Sequence, residues 1–563
     1  MDNISHANGS KGLEEQGLQD FSVPSEKVDL DVGQMSEGTM LHKGLHARQI
    51  TMIAMGGAIG TGLIIGTGQG LATAGPASIT LSYAIVGFVV YLVMGALGEM
   101  ATWIPMASGF TGYATRFCDP SLGFALGWSY WLKYIVVTPN QLTAAALVIQ
   151  YWVPREQVNP GAFIAIFMVA IIIGNYLGIE FFGALEFVLS SVKVVVMIGI
   201  IILCLVLALG GGPDHDRKGF RYWKNPGAFK PYMAEGDIGK FLAVWASMVT
   251  ATFAYLGTEL VGITVGEAVN PRKTIPRAIR LTFWRIIFFY VLSVFLVGLN
   301  VPYNSPDLLF ANKKKTSASA SPFVVAISSA GIRILPSIFN GCILIFILSA
   351  ANSDLYICSR TIYSLAVEGQ APRFLARTNA RGVPFFALGV SSIFTLLAFM
   401  NVSSGSETIF SYLASFVTMF GLLVWISILA SHIFFVRARR AQGVLDSALA
   451  YTAPLGIQGS YFALAFCVIV ALTKNFSAFI PNNQSYGNFD YKSFITGYLG
   501  IPIYLGLYFG HKVIRKTRVV HPKSCDLYSG KDRIDQEEAE YMVANMSSNR
   551  PKTLFGRLIA ILF

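Results

Sequence analysis

From about residue 50 onward, long apolar stretches alternate with short polar ones. Twelve apolar segments are predicted, near 50–70, 78–103, 122–152, 162–180, 186–209, 241–268, 282–301, 336–366, 383–400, 409–435, 457–478 and 491–512. Each approaches the ~20 residues that an α-helix needs to cross a bilayer. Residues 1–44 read differently: they are polar, rich in Gly, Ser, Glu and Gln, and without helical periodicity, so a disordered tail is expected there. No apolar region follows the start, so no signal peptide is expected and the tail should lie in the cytosol. The pattern divides the chain into a cytosolic N-terminal tail (1–44), an all-α polytopic membrane domain of twelve helices (45–512) and a cytosolic C-terminal tail (513–563). An even number of spans puts both termini on one side.

Loop charge tests that topology, because cytosolic loops carry an excess of Lys and Arg. The loops "NPRKTIPRAIR" (270–280), "RFLARTNAR" (373–381) and "RARR" (437–440) are strongly basic and fall on the expected cytosolic side. Two basic stretches fall outside, "DHDRKGFRYWKNPGAFK" (214–230) and "NKKK" (312–315). Both belong to the longest loops, where the rule is weakest.

Composition sharpens the class. The 563 residues are 54% hydrophobic and only 13% charged, with a mean hydropathy of +0.56. A soluble domain carries about 25% charged residues, so a polytopic membrane protein is implied. The net charge of +11 would suggest nucleic acid in a soluble protein. Here the basic residues concentrate between spans, which points to topology and lipid headgroups. The six cysteines (Cys118, Cys204, Cys342, Cys358, Cys467 and Cys525) show neither CxxC spacing nor a His/Cys cluster. They argue for no disulfide framework and no metal site.

One segment breaks the apolar pattern. "AMGGAIGTGLIIG" (54–66) lies within the first span, yet five of its thirteen residues are glycine. Mid-helix glycine costs roughly 1 kcal/mol relative to alanine. A phosphate-binding loop does not account for it: the GxxxxGK[ST] lysine is missing, the spacing misses GxGxxG, and no strand is predicted before it. A helix-dimerisation face would use small residues in this way. The alternative is an interrupted helix whose unpaired N–H and C=O groups line a cavity near the bilayer midplane. The positive end of a half-helix suits a carboxylate and the freed carbonyls suit an ammonium. A zwitterion with both groups on one carbon is an amino acid. The sixth span carries a matching break: "ATFAYLGTELVGITVGEAVNPRK" (251–273) has Gly257, Gly262 and Gly266 in an apolar run, with Glu259 in its middle. Two such breaks five helices apart predict an inverted repeat of five plus five helices, followed by two more.

Several stretches carry a family resemblance: "GGAIGTGLIIG" (56–66), "LGEMATWIP" (97–105), "GFRYWKNPGAF" (219–229), "GTELVGITVGEAVNPRKTIPRAI" (257–279) and "SAANSDLYICSRTIYSLA" (349–366). They resemble the fungal amino-acid permeases of the amino acid–polyamine–organocation superfamily, over roughly residues 40–535. "TPNQLTAAALVIQYW" (138–152) resembles the dicarboxylic amino-acid permeases of that family. The resemblance implies broken helices 1 and 6, no cofactor, and proton-coupled import of amino acids across the plasma membrane. It places the substrate carboxylate at Ala58, Ile59, Gly60, Thr61 and Gly62, with the Thr61 hydroxyl as a further donor. Phe253, Ala254, Tyr255 and Gly257 match the break that receives the amino group and closes an aromatic lid.

The remaining candidates are charged or polar residues inside spans. Glu259 is costly in a bilayer, by about 2.5 kcal/mol or more, and such residues mark ion pathways. Its plainer reading is a carboxylic acid that holds helices together. Lys193 lies deep in the fifth span, about 10 Å from the nearest interface at 1.5 Å per residue, which weakens a snorkelling role. Sodium-coupled relatives of the fold place a cation between helices 1, 5 and 8. The Lys193 ammonium is expected to replace it and to supply proton coupling, with Ser349, Asn352 and Ser353 as partners. Family members selective for cationic amino acids resemble the third span but carry glutamate where Gln141 stands, so Gln141 argues against cationic substrates. Lys133 lies about 12 Å before it along the helix and reads as a long-range or structural charge. Ser415 and Thr418 in the tenth span are further specificity candidates. Glu267, ending the sixth span beside "NPRK", suits a cytosolic ion pair, and Glu99, near a helix end, suits a cytosolic gate.

These readings lead to a proton-coupled amino-acid symporter favouring glutamate and aspartate, with no metal and no nucleic-acid partner. A broad neutral amino-acid permease is the alternative, and a sensor that binds without transporting is an alternative of another class. No nucleophile with a base, paired metal ligands or cofactor motif supports an enzyme. Lys11, Lys27 and Lys43 in the N-terminal tail stand beside acidic residues, an accessible setting for a ubiquitin-ligase adaptor.

Overall fold

A computed structural model describes residues 59–106, 108–260, 262, 271–308, 321–402, 406–479 and 489–532, with 535, 536 and 539. Ala58, Glu267, the N-terminal tail with Lys11, Lys27 and Lys43, and most of the chain beyond 532 lie outside the described residues. The main helices run in chain order. α1 is Thr67–Ala74, entered through a wide turn at Gly62–Gly66; α2 is Pro76–Trp103, α3 Pro120–Ile149, α4 Pro160–Tyr176 and α5 Ile179–Ala208. α6 is Gly236–Tyr255 and α7 is Thr274–Asn300, followed by α8 Leu335–Val367, α9 Phe385–Phe394, α10 Ser406–Ala441, α11 Gly456–Thr473 and α12 Tyr491–Arg515. No strand occurs among the described residues. Nine helices there are long and apolar enough to cross a membrane, and Pro160–Tyr176 and Phe385–Met400 are shorter apolar helices.

The interior is organised around α3. The apolar stretch of α3 is 83% buried, against 33% for α5, because α8, α10 and α12 all pack on it. The outer faces of α5 and α11 instead carry Val195, Ile202, Phe462 and Leu472 outward. In water such faces would be unstable; against lipid tails they cost nothing. At one end of the helix bundle the α5–α6 connection clamps the end of α1. Lys230 donates from Nζ to the Ala72 carbonyl (2.6 Å) and from its backbone N–H to the Ala74 carbonyl (3.0 Å), satisfying carbonyls that the helix end leaves open. On the opposite side the chain beyond α12 folds back. The Val520 N–H donates to the Cys118 carbonyl (2.8 Å), Trp103 Nε1 to the Leu527 carbonyl (2.9 Å) and Gln442 Nε2 to the Cys525 carbonyl (2.6 Å). The start of the C-terminal tail is thus docked.

Asp119 fastens the start of α3 to α12. Its Oδ1 caps the helix by accepting from the Ser121 N–H (2.8 Å), and it pairs with the Lys512 ammonium while accepting from the Tyr508 hydroxyl (3.2 Å). Losing an N-cap costs about 1 kcal/mol, and Lys512 would also lose its counter-charge. Asp119→Ala should therefore lower the thermal unfolding midpoint of the detergent-solubilised protein while leaving substrate order unchanged. An unchanged midpoint would show that this junction contributes nothing.

Candidate functional site

Among the described residues, the two glycine-bearing stretches meet where the chain leaves helical geometry. At the first, the chain bends at Ile59 and Gly60 before the wide turn of Gly62–Gly66. At the second, α6 stops at Tyr255; Leu256 turns extended (φ −61°, ψ 142°) and Gly257 takes φ +95°, a conformation that favours glycine. A short turn at Thr258–Leu260 follows. The two breaks touch so closely that a Cβ on Gly62 would lie 2.5 Å from the Ala254 Cα and 2.9 Å from its backbone N. Gly60 has more room, with Ala350 Cβ at 3.8 Å and Gln141 Nε2 at 3.9 Å from such a Cβ.

Between them lies a small cavity of about 30 Å³, lined by Gly60, Thr61 and Gly62, by Lys133, Tyr134 and Gln141 of α3, by Phe253, Ala254 and Gly257, and by Asp354 of α8. One water needs some 10–15 Å³, so the breaks leave room for little more than a water or two. The Thr61 hydroxyl is buried with no hydrogen-bond partner. Gln141 donates from Nε2 to Asp354 Oδ2 (3.2 Å), and its Oε1 is unpartnered.

Charge is concentrated behind this wall. Glu259 is fully buried. It ion-pairs with the Lys133 ammonium and accepts at Oε2 from the Gly257 N–H (3.1 Å) and Trp425 Nε1 (3.3 Å). The carboxylate thereby joins the α6 break to α3 and α10. Lys133 also lies 5.2 and 4.9 Å from the ring centroids of Tyr130 and Tyr134, favourable ground for a cation. The structural readings of Glu259 and Lys133 converge in one ion pair.

Lys193 is fully buried on α5, with Nζ 3.9 Å from Glu186 Oε1. Glu186 also accepts from the hydroxyls of Ser190 (2.9 Å) and Ser349 (2.9 and 3.0 Å), linking α5 to α8. Ser349 therefore meets Lys193 through a carboxylate. Asn352 accepts at Oδ1 from Asn175 Nδ2 (3.0 Å), and the Ser353 hydroxyl is buried without a hydrogen-bond partner.

The profile of the amino acid permease family matches residues 49–523. The chain belongs to the amino acid permease family. It is similar to the dicarboxylic amino acid permease of Saccharomyces cerevisiae, at 52% identity over 92% of this chain and 84% of that protein. It is also similar to the proline-specific permease of Emericella nidulans, at 39% identity over 90% and 91%. Among solved structures it resembles a manganese transporter of Eremococcus coleocola, with a TM-score of 0.54 at 13% identity over 84% of this chain and 94% of that one. That likeness shows a shared all-helical transporter fold. The permease is a multi-pass membrane protein that transports amino acids, and not an enzyme.

Other candidate residues of this permease fall elsewhere. Tyr255 does not line the cavity: its hydroxyl donates to the Tyr83 carbonyl (2.9 Å) and its ring stacks on Tyr290 (4.4 Å between centroids). Ile59 is core. Ser415 and Thr418 line a larger cavity, beyond Phe253 from the small one. Glu99 accepts from the Ala453 N–H (2.7 Å) and faces His432 and Arg439 at 3.3 and 3.7 Å, a cluster near the C-terminal end of α2. Asp354 was not anticipated from sequence, although it directly follows Ser353. Buried nearly all round, α8 offers no pattern that singles out the cavity-facing residue.

The glycine contacts separate space from backbone freedom. Overpacking costs typically 1–3 kcal/mol, up to about a hundredfold in an equilibrium. Gly62→Ala should cut uptake by roughly tenfold or more, because the backbone it meets cannot swing aside. Gly60→Ala should keep most uptake, and Gly60→Val should lose it by filling the cavity. Uptake per molecule at the surface is the measurement; equal activity of all three would remove this contact from the transport cycle.

Proposed function

We propose that this permease is a proton-coupled symporter that imports amino acids, acidic ones by preference, across the plasma membrane with both termini in the cytosol. α1–α5 and α6–α10 would form the two inverted repeats, with α11 and α12 added, making residues 45–512 the transport domain. The observation that supports the reading is the meeting, at one small cavity, of the helical segment that starts at Gly62 and the end of α6 at Tyr255. The segment beginning at Gly62 starts there beside the unpartnered Thr61 hydroxyl, where a carboxylate is favoured. The last carbonyls of α6 end there too, where an ammonium is favoured.

Gln141 puts an amide on the cavity wall where a carboxylate would favour cationic substrates, while Lys133 is neutralised by Glu259. The similar Saccharomyces protein is named for dicarboxylic amino acids. Neither the neutral-permease nor the sensor alternative is favoured by these observations. The same wall argues for the proton. An acidic side chain beside the Asp354 carboxylate would set two like charges about 4 Å apart, costing roughly 4 kcal/mol at an effective dielectric near 20. A proton on Lys193, which faces Glu186 and Asp354, would offset that charge without residing on Asp354. Glu259 is committed to Lys133, Gly257 and Trp425, which leaves Lys193 as the carrier. Asp354 is a second reading, supported by its place on the cavity wall. The tail lysines Lys11, Lys27 and Lys43 fit ubiquitin attachment that sets surface lifetime.

Concentrative uptake and exchange, measured against external pH, test the assignment. Lys193→Ala should lose accumulation while exchange survives, and Asp354→Asn should keep the normal pH dependence. The reverse pattern moves the proton to Asp354. Normal accumulation and pH dependence in both variants would contradict proton coupling through this cluster.

A further inference from the structure

Outside the small cavity, and separated from it by Phe253, lies a second cavity of about 320 Å³. α1, α6, α10 and the facing ends of α11 and α12 enclose it, with Gln69, Thr250, Ser411, Thr418 and Thr496 among its polar wall. Its size falls at the lower end of the ~300–1,000 Å³ range of small-molecule sites. Phe253 lines both cavities and meets Phe410 edge-to-face, 6.0 Å between centroids, so the aromatic pair stands between the two.

One charged group faces this space. Lys474, directly after α11, is only 5% exposed and lines the cavity wall. Its Nζ donates to the Ser415 carbonyl (2.6 Å) and to the Ser415 hydroxyl (3.0 Å). No carboxylate among the described residues lies within 4 Å of it. A staple to one carbonyl needs only a neutral donor, so the amine keeps further hydrogens to give, and an anion entering the cavity would hold it in its charged form.

We propose that this outer vestibule is a first binding site for anionic amino acids, in which Lys474 takes the side-chain carboxylate before Phe253 moves aside and admits the substrate to the helix breaks. The inference rests on the acidic preference proposed above. It gives Ser415 a role as the residue that aims the ammonium, and Thr418 one as a neighbour of the docked ligand.

Glutamate and glutamine differ at the group that Lys474 would read. Uptake of both is compared in wild type, Lys474→Gln and Lys474→Arg, each corrected for surface level. Losing a hydrogen bond to a charged group should raise the glutamate KM by about tenfold or more in Lys474→Gln. The glutamine KM and the maximal rates should hardly change, and Lys474→Arg should recover most of the glutamate affinity. Gly60→Val provides a second measurement, since it fills the inner cavity: weak glutamate binding to the purified full-length variant should persist, and should vanish in Gly60→Val/Lys474→Gln. An equal loss for both substrates, or an unchanged glutamate KM, would overturn the vestibule site and leave Lys474 a helix staple. Wild type that takes glutamine as readily as glutamate would instead overturn the acidic preference, whatever Lys474 does.

Discussion

A helix that unwinds inside a bilayer must find its hydrogen-bond partners within the protein, because lipid tails offer none. The rest of this structure depends on how that demand is met at the α6 break. There a buried carboxylate, Glu259, accepts the Gly257 N–H of the unwound turn and is held by Lys133 of α3 and Trp425 of α10. Breaking such a pair would leave an uncompensated buried charge, at a cost of about 3–5 kcal/mol. The pair therefore fixes the open turn against the most buried helices of the fold, and the α1 break closes upon it through Gly62 and Ala254.

With that junction in place, the charged groups divide by task. Lys133 and Glu259 neutralise each other and shape the wall. Lys193 and Glu186, bridged to α8 by Ser349, form a separate cluster across α5 and α8. Asp354 stands between the two on the cavity side, tied only to the Gln141 amide among the described hydrogen bonds. A small change in proton occupancy near Asp354 would change what the cavity accepts. Under the proposed symport, substrate and proton would be linked through charge in one space, with no need for a long relay. The vestibule adds a third task, selection before entry, where the enclosed Lys474 bonds to Ser415.

Much of this was legible in the sequence, for a physical reason. Glycine inside an apolar span is costly, so five in thirteen residues, and Gly257 five helices later, marked both breaks. The deep positions of Lys193 and Glu259 followed from span length alone. Partnership was not legible. Lys133 and Gln141, two turns apart, line one cavity because the long lysine stem reaches Glu259 while the short amide turns to Asp354. Tyr255 looked like part of a lid but packs on Tyr83 and Tyr290, since one residue along a helix turns a side chain about 100° away from its neighbour. Lys474 sits at a span end, where a lysine ordinarily snorkels to water. Only the packing of α10 and α12 around it shows that it is enclosed.

The central claim is that an acidic amino acid and a proton move together through the cavity between α1 and α6. Its most direct test reconstitutes the purified protein in liposomes with an acidic exterior and an alkaline lumen, and follows labelled glutamate. The account predicts accumulation above the external concentration, collapse of that accumulation when a protonophore removes the gradient, and weaker accumulation of glutamine. Glutamate that only equilibrates, with or without the gradient, would contradict it.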